Sequence, residues 1–126
     1  MNTPVSFEIA KLLKEKGFNE EVKPFYNGLK NNELIISDII GTSNNLPDWY
    51  PAPTIAEVVM WLYEKHNIWI YVDSHEFGKW CYNYKFNRPH KLSSKITENG
   101  QFGLDDYNTP TEAYENAIKF VLENLI

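Results

Sequence analysis

Several features that would assign this protein to a broad class are missing from its sequence. The chain has one cysteine, Cys81, so it can form no internal disulfide, which excludes a secreted scaffold held together by disulfides. Its longest uninterrupted apolar run covers only residues 58–63, whereas a membrane-spanning helix needs about twenty apolar residues. Glu8 and Lys11 occupy positions where a signal peptide would be apolar. These absences predict a cytoplasmic protein that does not bind a membrane.

Positive charge is also scarce. The 126 residues include 12 lysines and arginines against 17 acidic residues, which gives a net charge of −5. Duplex DNA requires a positive protein surface, so the overall charge disfavours general DNA binding. Aromatic residues, in contrast, make up 15% of the chain and hydrophobic residues 43%, which excludes a disordered protein. The length is typical of one compact domain, and we expect residues 1–126 to form a single domain.

The first of three predicted helices covers residues 6–16. Apolar side chains recur there at helical spacing, at Ile9, Leu12 and Leu13. Ser6 is the expected N-cap, with Thr3-Pro4 as an alternative start. Gly17 is placed to end the helix in the left-handed conformation, which would return Phe18 to the apolar side.

Capping boxes mark the starts of the other two helices. Thr54-Ile55-Ala56-Glu57 and Thr109-Pro110-Thr111-Glu112 each place a threonine and a glutamate where each side chain can bond the other's free backbone N–H. We expect the second helix to end near His66 and the third to cover residues 110–125. Three further apolar side chains widen the stripe of the second helix, which is therefore predicted to be covered on most sides: Met60, Trp61 and Tyr63.

Strands are predicted from alternation of apolar and polar residues. The strongest alternation indicates a β-hairpin of residues 68–72 and 79–86, joined by a turn over residues 74–78. A weaker pattern predicts an earlier hairpin of residues 22–26 and 33–39 around the Asn-Gly pair that follows its first strand.

The remaining segments and the order of elements define the expected fold. Residues 41–52 and 93–108 are rich in asparagine, proline or glycine, and we expect irregular loops there. The resulting order, α–β–β–α–β–β–α, predicts an α+β domain in which three helices pack on one face of a small antiparallel sheet.

Three parts of the sequence are similar to other proteins. They are residues 6–18, residues 52–54 followed by Trp61-Leu62-Tyr63-Glu64-Lys65-His66-Asn67-Ile68, and residues 111–117. In these parts the chain resembles small uncharacterised proteins from Bacteroidetes phages, prophages and mobile elements. That family has no assigned activity, so the resemblance implies an accessory protein in such a setting and carries over no catalytic residue. Residues 22–45 match poorly, which leaves a specialised partner open.

Catalytic, cofactor-binding and metal-binding patterns are absent from the sequence. Cys81 and the three histidines could in principle form a nucleophilic pair, but a lone cysteine inside a strand is more often a packed thiol. The histidines show no spacing typical of metal ligands. The glycine pair at Gly100 and Gly103 is not followed by the lysine and serine or threonine of a phosphate-binding loop. The sequence therefore predicts a non-enzymatic protein without cofactor or metal.

One stretch of the chain is basic and aromatic at once. Residues 77–97 contain five basic residues and no acidic one, whereas the rest of the chain carries seven basic and 17 acidic residues. Rings interleaved with cations are typical of proteins that bind single-stranded nucleic acid or a small ligand. Alternation in a strand favours another arrangement, in which the rings face the core and the cations face solvent. The candidate binding residues are Trp80, Tyr82, Tyr84, Lys85 and Arg88.

A second candidate surface lies at Trp49 and Tyr50, between Pro47 and Pro51. Large amphipathic rings are enriched at protein interfaces, although these two could instead cover one end of the core beside the second helix. Taken together, the sequence favours an accessory protein that acts through protein–protein interaction, self-association included. Binding of single-stranded nucleic acid or a small ligand by residues 77–97 is the first alternative, and an enzyme of unrecognised type is the second.

Overall fold

The computed structural model describes residues 3–41, 48–87, 99–101 and 107–126, and within them the predicted α+β class is confirmed. Two three-stranded antiparallel sheets take the place of the single predicted sheet. The chain divides into two compact units, Met1–Ile55 and Ala56–Ile126. The helices are α1 (Phe7–Glu15), α2 (Ile55–His66) and α3 (Pro110–Asn124). The strands are β1 (Val22–Asn27), β2 (Glu33–Gly41), β3 (Trp49–Pro51), β4 (Ile68–Glu76), β5 (Lys79–Phe86) and β6 (Asn99–Gln101), with a 3-10 helix at Gly28–Lys30.

The first helix begins and ends as its local sequence predicts. Ser6 is the N-cap, and its hydroxyl oxygen accepts a hydrogen bond from the Ile9 N–H at 3.4 Å. Gly17 has a φ of 90°, the left-handed conformation that a helix end favours. The chain then turns back, so that the Phe18 N–H donates to the Leu13 carbonyl at 2.9 Å and the Phe18 side chain is buried.

The sheet of the first unit has the strand order β2–β1–β3, so β2 is an edge strand. The weaker predicted hairpin is confirmed as the β1–β2 pair. Its turn is organised by Asn27, whose side-chain oxygen accepts from the Leu29 N–H at 2.9 Å, while the Gly28 N–H donates to the Asp48 carbonyl at 2.7 Å. A side chain at position 28 would lie 3.2 Å from that carbonyl oxygen, which explains the glycine.

Strand β3 corrects the prediction of an irregular loop over residues 41–52. Residues 49–51 pair with β1 in an antiparallel register, Phe25 with Pro51 and Asn27 with Trp49. A three-residue strand has too few positions to show alternation, so its own sequence gives no signal for it. Residues 42–47 of the predicted loop lie outside the described residues.

The sheet of the second unit has the order β4–β5–β6 and contains the strongest predicted hairpin. Strand β4 continues to Glu76, past the predicted end at residue 72, because a register shift between Ser74 and Glu76 admits an extra residue. The turn is therefore shorter than predicted and ends at Gly78, with a φ of 74°. Strand β6 lies where a loop was expected over residues 93–108, of which 93–98 and 102–106 are outside the described residues.

Both capping boxes precede helices. Helix α2 begins directly after Thr54, as predicted. At the start of α3 the Thr109 hydroxyl oxygen accepts from the Glu112 N–H at 3.1 Å. The Glu112 carboxylate accepts from the Asn108 N–H at 3.4 Å, one residue before the expected donor. Helix α3 packs on β4 and β5, and its buried side chains on that side are Ala113, Ala117, Ile118, Val121 and Leu122.

Candidate functional site

The aromatic side chains of β5 that are candidates for nucleic-acid binding belong mostly to the core, as the favoured interpretation of the alternation predicts. Tyr82 and Tyr84 are buried, and their rings lie 6.4 Å and 5.8 Å from the ring of Phe120 on α3. Burial raises the pKa of Tyr84 above its ordinary value. Trp80 is half-buried, and its backbone pairs with that of Tyr107. The buried rings of Tyr82 and Tyr84 therefore offer no free face on which a base could stack.

The cation Lys85 lies on the opposite side of the same sheet. Its partner in register on β4 is Trp69, whereas Tyr84 pairs with Ile70. The structure thus separates Lys85 from Tyr82 and Tyr84, as alternation along a strand requires. Lys85 is exposed. Arg88, the remaining candidate of this group, lies outside the described residues.

Trp49 and Tyr50, the second candidate surface, are half-buried in the first unit. The Trp49 ring stacks on Phe25 with a centroid separation of 4.0 Å and an interplanar angle of 6°. Tyr50 meets the ring of Phe7 edge-to-face at 5.2 Å. These contacts connect β3 to β1 and α1, so both rings contribute to packing and each keeps part of its surface in solvent.

Lys14 on α1 joins this aromatic group. Its ammonium nitrogen donates to the Trp49 carbonyl at 2.6 Å and lies 5.0 Å from the centre of the Tyr50 ring. Desolvation by burial lowers the pKa of Lys14 from its ordinary value, and the nearby Asp48 carboxylate offsets part of this shift. The lysine therefore serves as a tether for β3.

The edge strand β2 carries apolar side chains that the sequence interpretation did not select. Ile36 is 72% exposed and Leu34 is 39% exposed, and they lie on the same side of the strand because they are two residues apart. Leu29, in the preceding 3-10 helix, is also exposed. The signal for this surface is present in the sequence as three consecutive apolar residues, since a strand with one solvated side normally alternates.

A second overlooked surface is a cleft of about 380 Å³ within the second unit. It corrects the prediction that α2 is covered on most sides, because Met60 and Tyr63 are each 44% exposed there. Trp61, the third residue of that prediction, is buried. The described residues lining the cleft are Met60, Tyr63, Trp69, Lys85 and Asn87.

The described residues place no three metal-binding side chains together, and Cys81 is buried. None of the helices in this part of the chain has the length and apolar character needed to cross a membrane. No protein-family model, curated protein or solved structure matches the chain. The β2 edge and the cleft both carry exposed apolar side chains.

Proposed function

We propose that this protein is a small non-enzymatic accessory protein that binds an extended segment of another protein along the edge of β2. The exposure of Ile36 supports this proposal, because within the described residues β2 pairs with β1 alone. An unpaired edge presents backbone N–H and C=O groups to which an extended peptide can add as a further strand. Soluble proteins usually blunt such edges with charged side chains, whereas this edge also carries the exposed apolar side chains Leu34 and Ile36.

The usable part of this edge is short. Regular pairing with β1 covers residues 33–36, after which the register shifts before Gly41 pairs with Val22. A shift of this kind bends the strand and limits continued pairing. A bound segment would therefore add its backbone along residues 33–36. Its alternate side chains would contact Leu34 and Ile36.

The charge of the surroundings favours a basic partner over a second copy of this chain. Glu33 is exposed at the start of β2, inside the stretch of the edge that a bound segment would pair with. Two copies that each carry a net charge of −5 repel one another. A segment in which lysine or arginine alternates with apolar residues is attracted instead. The resemblance to phage and mobile-element proteins supports an accessory role in such an element.

The proposal predicts binding of a short capped peptide in which valine and lysine alternate. Bound peptide should slow hydrogen exchange of the β2 backbone amides and shift their NMR signals. Ile36→Lys should weaken peptide binding by about fivefold, equivalent to about 1 kcal/mol. It removes an apolar contact and introduces a positive charge that repels the lysines of the peptide. Phe77→Lys is the matched control, since it places the same cation at an exposed apolar residue in the β4–β5 turn.

Three results would count against the proposal. If Ile36→Lys and Phe77→Lys weakened peptide binding equally, the loss would come from the added positive charge and not from a lost contact on β2. Protection confined to amides outside β2 would place the peptide elsewhere. Sedimentation analysis could show that the protein dimerises without peptide and that Ile36→Lys dissociates the dimer. The occupant of the β2 edge would then be a second copy of this chain and not another protein.

Glu33→Lys adds a positive test, because it should shift the binding preference toward a peptide of alternating valine and glutamate.

A further inference from the structure

We infer that the cleft between α2 and the β4–β5 hairpin is a binding site for a small planar aromatic molecule that carries a carboxylate or a phosphate. The cleft belongs to the second unit and shares no residue with the β2 edge. This inference can therefore fail or succeed independently of the proposed function. Its volume of about 380 Å³ lies in the range of small-molecule sites.

Two aromatic side chains form the apolar part of the cleft. Trp69 is half-buried on β4, and its ring lies 5.6 Å from that of Tyr63 at an angle of 80°. This edge-to-face contact holds both rings in place before a ligand arrives, which lowers the entropy cost of binding. Met60, one turn earlier on α2, adds a thioether that adapts to rings of different shape. The cleft is therefore suited to a flat apolar body.

The polar part of the cleft selects an anion. Lys85 is directly opposite Trp69 in the strand register, so its stem starts beside the indole. Of the described residues that line the cleft, Lys85 carries a positive charge and none carries a negative charge. Its ammonium group has no ion-pair or hydrogen-bond partner in the described part of the chain. A carboxylate or phosphate on the ligand would supply that partner.

A backbone hydrogen bond holds Asn87 at the cleft. Its N–H donates to the Asn67 carbonyl at 2.8 Å, and Asn67 has a φ of 58° where the chain passes from α2 into β4. This bond ties the end of β5 to the end of α2, which holds Asn87 near Tyr63 and Trp69. The exposed Asn87 amide can both donate and accept a hydrogen bond, so it can orient a polar edge of the ligand.

Three probes with the same ring separate the contributions of ring and charge: naphthaleneacetate, naphthyl phosphate and the neutral naphthaleneacetamide. Each is titrated into the full chain labelled with nitrogen-15, and the Trp69 indole N–H and the Asn87 side-chain amide are followed by NMR. We expect a Kd of about 1 mM for the anions, as is usual for so small a ligand. The anions should bind about threefold more tightly than the amide, because the ion pair lies at the rim of the cleft. Comparison of the two anions identifies which anionic group the site prefers.

The variants assign the charge preference to one side chain. Lys85→Gln should remove the preference for the anions, so that the anions and the neutral amide bind with equal affinity. Lys79→Gln is the matched control, because Lys79 is exposed on the same side of β5 about 20 Å away. Met60→Glu places a carboxylate at an exposed position of the cleft. It should weaken binding of the anions several-fold without disturbing the core. All three variants alter exposed residues, so the fold is retained.

Clear results would overturn the inference. Absence of any shift at Trp69 and Asn87 with all three probes at about 10 mM would eliminate the aromatic site. Equal affinity for the anions and the amide in the unaltered protein would eliminate the anion preference. If Lys85→Gln and Lys79→Gln reduced anion binding equally, the preference would come from general charge and Lys85 would have no special role.

Discussion

At the scale of single residues, Lys14 shows how a charged side chain can take part in packing. Its ammonium group donates to the Trp49 carbonyl and lies over the Tyr50 ring. Burial disfavours the charged form, and the lowered pKa of Lys14 records that cost. The hydrogen bond and the aromatic contact must outweigh this cost for the charged side chain to remain in place. We therefore expect Lys14 to contribute to the stability of the first unit.

Lys14→Met should lower the free energy of unfolding by about 1 kcal/mol, since it removes the hydrogen bond to the Trp49 carbonyl but also relieves the desolvated charge. Lys11→Met is the control, because Lys11 is exposed on the same helix and should change stability little. Urea unfolding followed by tryptophan fluorescence measures both. If Lys14→Met and Lys11→Met lowered the free energy of unfolding equally, Lys14 would not stabilise the protein as a tether of β3.

The roles of individual aromatic residues could be predicted only in part. The sequence identified Trp49 and Tyr50 as large rings that either bind a partner or cover the core. It could not identify Phe25 or Phe7 as their contacts, because these residues are distant in sequence and meet the rings only through the fold. For Tyr82, Tyr84 and Lys85 the alternation correctly separated rings from cation, but it could not show which side α3 would cover.

At the scale of elements, structure that depends on neighbouring residues could be predicted from the sequence, whereas structure that depends on pairing with distant residues could not. The three helices were found because caps and periodicity lie within a few residues of one another. Strands β3 and β6 were missed because each has three residues and forms only by pairing with a distant strand. The cleft was missed for the same reason, since the apolar stripe of α2 does not reveal that Met60 and Tyr63 stay exposed.

The N-cap of α3 should contribute measurably to the stability of the protein. Thr109→Ala removes the oxygen that accepts from the Glu112 N–H and should lower the free energy of unfolding by about 1 kcal/mol. Thr111→Ala is the control, because Thr111 is exposed inside the first turn and alanine favours a helix there. Thermal unfolding followed by circular dichroism should separate the two. A control variant as unstable as Thr109→Ala would exclude a specific capping effect.

At the scale of the whole molecule, cooperative unfolding of the entire chain remains a prediction. The length favours one domain, and chains of this size usually unfold in a single step. The structure divides the chain into two compact units, each with its own buried side chains. Leu13 in the first unit and Leu122 in the second are both fully buried. They therefore provide one probe for each unit.

Leu13→Ala and Leu122→Ala should each lower the free energy of unfolding by about 2–5 kcal/mol, because each leaves a cavity in a packed core. If the chain unfolds as one domain, either variant should destabilise the slowest-exchanging amides of both units equally. Hydrogen exchange followed by NMR measures this residue by residue. An effect confined to the unit that carries the substitution would contradict the single-domain prediction.

The turn after β1 has a consequence for the chemical ageing of the protein. Asn27 is followed by Gly28, a pair prone to deamidation, in which the next backbone nitrogen attacks the asparagine side chain to form a succinimide. Here the attacking Gly28 nitrogen is bound to the Asp48 carbonyl, and the Asn27 oxygen accepts from the Leu29 N–H. The Gly28 N–H must leave the Asp48 carbonyl before its nitrogen can attack the Asn27 side-chain carbon and expel ammonia, and the bond from Leu29 holds the Asn27 side chain in place. The native fold should therefore preserve Asn27 during long storage, whereas the same pair in the unfolded chain loses its amide.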